Sequence, residues 1–176
     1  MRTTVLLTLL ALVLISCINS PATPPTPTVM IVPTTTPTVA ESSDVTAEIA
    51  ANYQRWQAAD IRDYRFSLMV GCYCPMTAMM PFTVEVRDGN VVSVTDANGV
   101  VVATDDPDTG FVLTYATIEG IYAELMSARF SEADKLTISF DPTYSVPATV
   151  SADFIELAAD DELYLGISGF TVVAQK

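Results

Sequence analysis

Phe82-Thr83-Val84-Glu85-Val86-Arg87-Asp88-Gly89-Asn90-Val91-Val92-Ser93-Val94-Thr95 is the stretch from which the fold can be read. Two β-branched runs, Phe82 to Arg87 and Val91 to Thr95, flank Asp88-Gly89-Asn90, and Gly89 can take the positive φ that a tight hairpin demands. Antiparallel pairing follows. Upstream, Asp63 to Val70 places Tyr64, Phe66, Leu68 and Val70 on one side of a chain with period two, the pattern of a half-buried strand.

Working outward, Asp44 to Asp60 carries Val45, Ile49, Tyr53, Trp56 and Ala59 at spacings of three and four, which predicts an amphipathic helix capped by Ser43 or Asp44. A second helix is marked by Ile118, Ile121, Tyr122, Leu125 and Met126. The stretch between, Asp96 to Thr114, reads as a loop rich in Asp and Gly, with a short strand at Gly99 to Thr104. Lys135 to Phe140 predicts a strand with Leu136, Ile138 and Phe140 on one face. It is turned by Asp141-Pro142-Thr143-Tyr144 into Ala148 to Phe154, and Leu163 to Val173 is the last strand. The fold class is therefore α+β: an antiparallel sheet with two helices packed on one face. The order, a helix and three strands given twice, suggests a duplicated α-β-β-β unit.

The N-terminal quarter has a different character. Arg2 precedes an apolar run of 11 residues, Val5 to Ile15, too short for the roughly 20 residues that span a bilayer. The run ends in Leu14-Ile15-Ser16-Cys17, which resembles the lipobox of bacterial lipoproteins, in which the cysteine is acylated and becomes the new N-terminus. Residues 1–16 read as a lipoprotein signal peptide and Cys17 as the lipidation site. Ile18 to Ser43 holds six Pro and seven Thr in 26 residues, a composition that favours extended chain over a packed core. Residues 17–43 form a lipidated tether reaching up to roughly 80 Å at ~3.1 Å per residue, and residues 44–176 one globular domain. Thr-rich stalks of this kind are also substrates for O-glycosylation.

Composition excludes several functions. Of 176 residues, 8 are basic and 21 acidic, a formal charge of −13; without the leader's Arg2 it is 7 against 21, or −14. Nucleic acid is not a partner for isolated Lys and Arg among acids. The chain has no His, which removes Ser-His-Asp and Cys-His catalysis and His-bearing zinc sites. Asp160, Asp161 and Glu162, or Asp105, Asp106 and Asp108, are material for a paired-carboxylate hydrolase, but runs of adjacent acids ordinarily form solvated turns. Asp106-x-Asp108-x-Gly110 lacks the later ligands of an EF-hand, with Thr117 where the closing Glu belongs.

Cys72 and Cys74 form an even pair once Cys17 is acylated, and in an oxidising compartment they are candidates for a structural disulfide. In extended chain their Cα atoms lie ~6.6 Å apart, near the upper end of disulfide geometry, and Gly71 and Pro75 favour a bend that shortens the gap. Met69, Met76, Met79 and Met80 surround them, so a soft-metal site binding copper is an alternative, as is a redox-active pair. As packing residues, Met69 is expected in the core beside Leu68 and Val70, and the other three under a loop.

Asn52-Tyr53-x-x-Trp56, Asp63-Tyr64-x-Phe66, Cys72-x-Cys74-Pro75, Val86-Arg87-Asp88-Gly89 and Phe140-Asp141-Pro142-x-Tyr144, followed by Pro147, Asp153 and Asp161-Glu162-x-Tyr164, occur in one order. Together they resemble the bacterial domain-of-unknown-function family 6174, over about Asn52 to Phe170. The pattern of that family leads one to expect Gly-Tyr-Pro where this chain has Ser145-Val146-Pro147. The resemblance implies an exported envelope domain and supplies no catalytic residues. The expectation is thus a non-enzymatic, monomeric module without cofactor. It is anchored to the membrane by lipid, faces the periplasm or cell exterior, and binds an envelope protein or polymer. If Cys72 and Cys74 are bridged, protein purified without reductant will show no reactive thiol from that pair, and thiol titration will count two after reduction, with no stoichiometric copper bound before it. Two native thiols together with one bound Cu(I) are the opposite result.

Overall fold

The computed structural model describes residues 42–71, 75–103 and 107–174. Helix α1 spans Ser42–Ala59 and leads into β1 (Tyr64–Gly71), a 3-10 turn (Pro75–Met79), β2 (Phe82–Arg87) and β3 (Asn90–Thr95). After a short helix α2 (Pro107–Gly110) and a 3-10 turn (Phe111–Tyr115) come α3 (Ile118–Leu125), α4 (Ala128–Ser131), β4 (Lys135–Phe140), β5 (Pro147–Asp153) and β6 (Leu163–Val172). All neighbouring strands pair antiparallel, in the order β3-β2-β1-β6-β5-β4. The chain is therefore an α+β protein, two three-stranded meanders joined where β1 meets β6. Helix then meander does recur in chain order, although α2, α4 and the 3-10 turns interrupt any strict repeat. Among the described residues no helix is long and apolar enough to cross a membrane.

The β2–β3 connection is two residues, one shorter than the flanking runs suggested, because Asn90 already pairs with Arg87. Asp88 and Gly89 both hold positive φ, 49° and 74°, as a two-residue turn matched to the right-handed twist of its strands requires. On β1 the alternation is strict: Tyr64, Phe66, Leu68 and Val70 are buried, while Arg65 and Met69 point to the open face. The expectation that Met69 faces the core is thereby corrected; its neighbours Leu68 and Val70 occupy the inner side, and a strand cannot turn three successive side chains the same way.

A register shift opposite Phe66 decides the packing at one end of the sheet. Arg65 pairs with Thr171 but Ser67 pairs with Ser168, so β6 carries one extra residue there, and Gly169 takes a φ of 60°. Simple alternation from the buried Leu163, Leu165 and Ile167 puts Phe170 on the open face. The bulge instead turns it inward, where its ring lies 5.9 Å from Trp56, 5.5 Å from Tyr64 and 5.2 Å from Tyr144.

Both long helices cover the inner face. In α1, Ile49 and Trp56 are buried, with Val45 and Tyr53 packed beside them, while Ala59 at the end is exposed. From α3, Ile118, Ile121, Tyr122 and Leu125 are buried. Met126 falls past the last turn and is largely exposed. The segment expected to be a loop holds two short helical turns that bury Val112 and Tyr115, and its expected strand reduces to a single bridge between Thr95 and Val101. Trp56 fills the junction of α1, β1 and β6, so Trp56→Ala is expected to cost ~3–5 kcal/mol. Urea denaturation measures it, and a loss below about 1 kcal/mol means the ring is not packed as described.

Candidate functional site

Three of the family-like motifs, those of Asn52, Asp63 and Val86, converge on one end of the sheet, whereas Asp161 and Glu162 line a different cleft. Asn52 is buried in α1, where its Nδ2 donates to the carbonyl of Glu48 at 2.9 Å and its Oδ1 accepts from Arg55 at 2.8 Å. One turn on, Trp56 Nε1 donates to Glu119 Oε1 at 3.0 Å. Tyr64, the first residue of β1, donates its hydroxyl proton to Glu119 Oε2 at 3.0 Å and accepts the backbone N–H of Ile118 at 3.1 Å. Glu119 thus ties both long helices to the central strand. It stands in the first turn of α3, where a carboxylate also suits the helix dipole.

The hairpin tip is held against the same region. Asp63 Oδ1 accepts the backbone N–H of Asp88 at 2.8 Å, and the N–H of Gly89 donates to the carbonyl of Arg62 at 2.9 Å. Arg62 and Asp88 also form an ion pair at 3.1 Å. Both side chains are more than half exposed, so the pair itself adds only ~0–1 kcal/mol and the backbone bonds do the positioning. Between these parts lies a cleft of about 470 Å³ lined by Tyr53, Trp56, Gln57, Asp60, Arg62, Asp88, Asn90 and Glu119.

The Asp141-Pro142-Thr143-Tyr144 turn is closed by Asp141 Oδ1, which accepts the N–H groups of Thr143 at 2.9 Å and Tyr144 at 2.7 Å. It sends Tyr144 to Phe170. Ser145 then takes a φ of 57°. Glycine adopts that left-handed conformation without steric penalty. Here a serine holds it, with its carbonyl accepting from the Tyr122 hydroxyl.

Other residues singled out from the sequence are dispersed. Cys17, Cys72 and Cys74 lie outside the described residues, as do Asp105 and Asp106. Met76 is buried, Met79 packs beside the core, and Met80 is buried with its Sδ accepting the N–H of Val70 at 3.2 Å. Met69, on the open face, does not join them. Among the described residues no group of three or more His, Cys, Asp or Glu is placed to hold a metal ion. Asp160, Asp161 and Glu162 do line a second cleft, of about 440 Å³, with Arg129, Glu132, Phe154, Ile155 and Leu163.

Sequence reasoning passed over Glu119 and Arg129. The only signal for Glu119 was an acid in the first turn after Thr117, whose side chain accepts the N–H of Gly120 at 2.9 Å. That arrangement reads as an ordinary helix start. Its bonds to residues 63 and 55 positions away have no trace in local sequence.

An α+β domain with an engaged acidic cleft at one end of its sheet is the class that this geometry defines. The chain belongs to the family of unknown function DUF6174, whose model matches residues 48–172. No curated protein and no solved structure matches it.

Burial pushes the Tyr64 phenol far above its ordinary value of 10, the Ile118 N–H opposing and the Glu119 charge reinforcing the shift. Burial likewise raises Tyr122 and Tyr115. A folded-state value above the unfolded one contributes stability that is complete below pH ~10 and lost as pH rises above it. Tyr64→Phe is expected to cost ~1–3 kcal/mol at neutral pH, because the buried Ile118 N–H loses its acceptor, and to flatten the alkaline fall in stability. Urea melts at pH 7 and pH 11 check both; a neutral-pH cost near zero contradicts the bonding described.

Proposed function

We propose that this protein is a membrane-anchored lipoprotein of the cell envelope whose domain is a non-enzymatic binding module. The anchor reading rests on Leu14-Ile15-Ser16-Cys17 behind an 11-residue apolar run and ahead of a Pro/Thr-rich tether. On that reading Cys17 carries lipid, and the tether lifts the domain clear of the headgroups toward an envelope protein or polymer.

The observation that carries the binding reading is the state of Glu119. General acid–base catalysis needs a carboxylate within reach of a substrate proton and free to exchange one. Here Oε1 is taken by Trp56 and Oε2 by Tyr64, while Asp63 and Asp88 hold the hairpin tip. Glu119 and Asp88, two of the carboxylates of this cleft, thus join elements of the fold. The same economy applies to Met76 and Met80, whose burial suits packing better than ligation of a soft metal.

Replacing Cys17 with Ser in the producing cell is expected to move the chain from the membrane to the soluble fraction, read by fractionation and immunoblot. Unchanged membrane retention defeats the anchor. Crosslinking from envelope fractions then tests the module, a specific crosslinked partner being the expected result.

A further inference from the structure

The long helices cover one face of the sheet, and strand register fixes what stands on the other. Tyr164 of β6 lies between Gly71 of β1 and Ser151 of β5, with Thr137 of β4 beyond. One step along the strands, Gly166 lies between Met69 and Thr149, with Ser139 beyond. The next step pairs Ser168 with Ser67, and Ser67 with Thr83. None of these side chains carries a charge, in a chain whose formal charge is −13. Charged pairs flank the band instead, Arg65 with Glu85 at one end and Lys135 with Asp153 at the other.

An aromatic ring is built into this band. Tyr164 is 43% exposed, and its ring leans along β6 over Gly166, where a Cβ would lie 3.2 Å from both Cε1 and the phenol oxygen. A Cβ on Gly71 would lie 3.0 Å from the Cβ of Tyr164. Neither glycine has the left-handed φ that calls for glycine on backbone grounds, so what both provide is space. Glycine inside a strand forfeits stability and marks the close approach of another group. Here it lets the ring lie low across the sheet, level with the hydroxyls around it. Ser139 Oγ and Thr149 Oγ1 are 2.5 Å apart, one donating to the other, which leaves one hydroxyl proton and the remaining lone pairs for a ligand.

The ligand that suits such a surface is neutral and rich in hydroxyls. A polyanion meets no cation within the band and is repelled by the net charge of the chain. A protein surface finds little apolar area beyond Tyr164 and Met69, whereas the centres of protein interfaces are apolar and aromatic. A sugar ring has a C–H face that packs on an aromatic side chain, and its hydroxyls exchange hydrogen bonds with Ser and Thr, which both donate and accept. Neighbouring strands set successive positions ~4.8 Å apart, close to the width of a sugar ring, so linked sugars crossing the strands stay in step with them. We propose that the open face of the sheet binds a neutral glycan, one sugar packed against Tyr164 and its neighbours bonded to the hydroxyls of Thr149, Ser139 and Ser151. This rests on the reading of the domain as a binding module and names the chemistry of its polymer.

The full chain is titrated calorimetrically with cellohexaose, maltohexaose and chitohexaose, and with a heparin hexasaccharide as the anionic counterpart. Saturable binding of at least one neutral hexasaccharide, without binding of the heparin fragment, supports the site. Tyr164→Ala is expected to weaken that binding about tenfold, with circular dichroism and the urea midpoint showing the fold retained. Thr149→Val keeps the side-chain shape, removes one hydroxyl and is expected to weaken it about threefold. Absence of binding by all three neutral sugars, equal affinity in Tyr164→Ala, or heparin binding as tight as theirs overturns the proposal. If no sugar binds but Tyr164→Ala abolishes the crosslinking of an envelope protein, the face belongs to a protein, so the glycan falls and the module reading stands. Neither sugar binding nor a crosslinked partner removes both.

Discussion

The hydroxyl of Tyr64 is the constraint on which the rest of the structure depends. It sits at the start of the central strand, with its ring buried, where water cannot satisfy it. It must therefore find both a donor and an acceptor within the protein. It finds them in consecutive residues of α3, the N–H of Ile118 and the carboxylate of Glu119. Because Glu119 also takes the indole N–H of Trp56, three elements far apart in sequence are held at one point with the polar atoms satisfied. The rings of Trp56, Phe66 and Phe170 pack around Tyr64 on the inner side, while Glu119 itself is exposed at the cleft.

Two acidic sites with opposite bookkeeping follow from this arrangement. At one end of the sheet, the carboxylates of Glu119, Asp63 and Asp88 are spent on helix, strand and hairpin. At the entry to β6, Asp161 has no hydrogen-bond partner among the described residues, and Arg129, which lines the same cleft, is drawn to an aromatic face. Charge density does not separate them, since both clefts are acidic. What separates them is whether the described residues provide donors.

Legibility differed by range. The strand of Tyr64 to Val70, the Asp88-Gly89 hairpin and the Ile118 helix were readable because each buries one face at a fixed period, so apolar spacing reports local geometry directly. The short turns at Pro107–Gly110 and Ala128–Ser131 were not readable, being too brief for any period to show. Phe170 was misleading for a physical reason: a bulge changes which face a residue occupies without changing the alternation around it. Met69 was misread against the same alternation rule that placed its neighbours. The motifs resembling the family were visible in order, yet that those of Asn52, Asp63 and Val86 meet around one cleft was not, because order carries no distance.

By itself the sequence determined the α+β class, the two amphipathic helices, the central hairpin, the acidic surface and the absence of imidazole chemistry. These depend on composition and on side chains within a few residues of one another. Tertiary structure alone decided the strand order β3-β2-β1-β6-β5-β4, the inward turn of Phe170, the joining role of Glu119 and the isolation of Asp161. Each of these is a pairing, or the lack of one, between groups tens of residues apart. Hydrogen bonding and desolvation at such sites are set by which surfaces meet, and no local pattern along the chain records that.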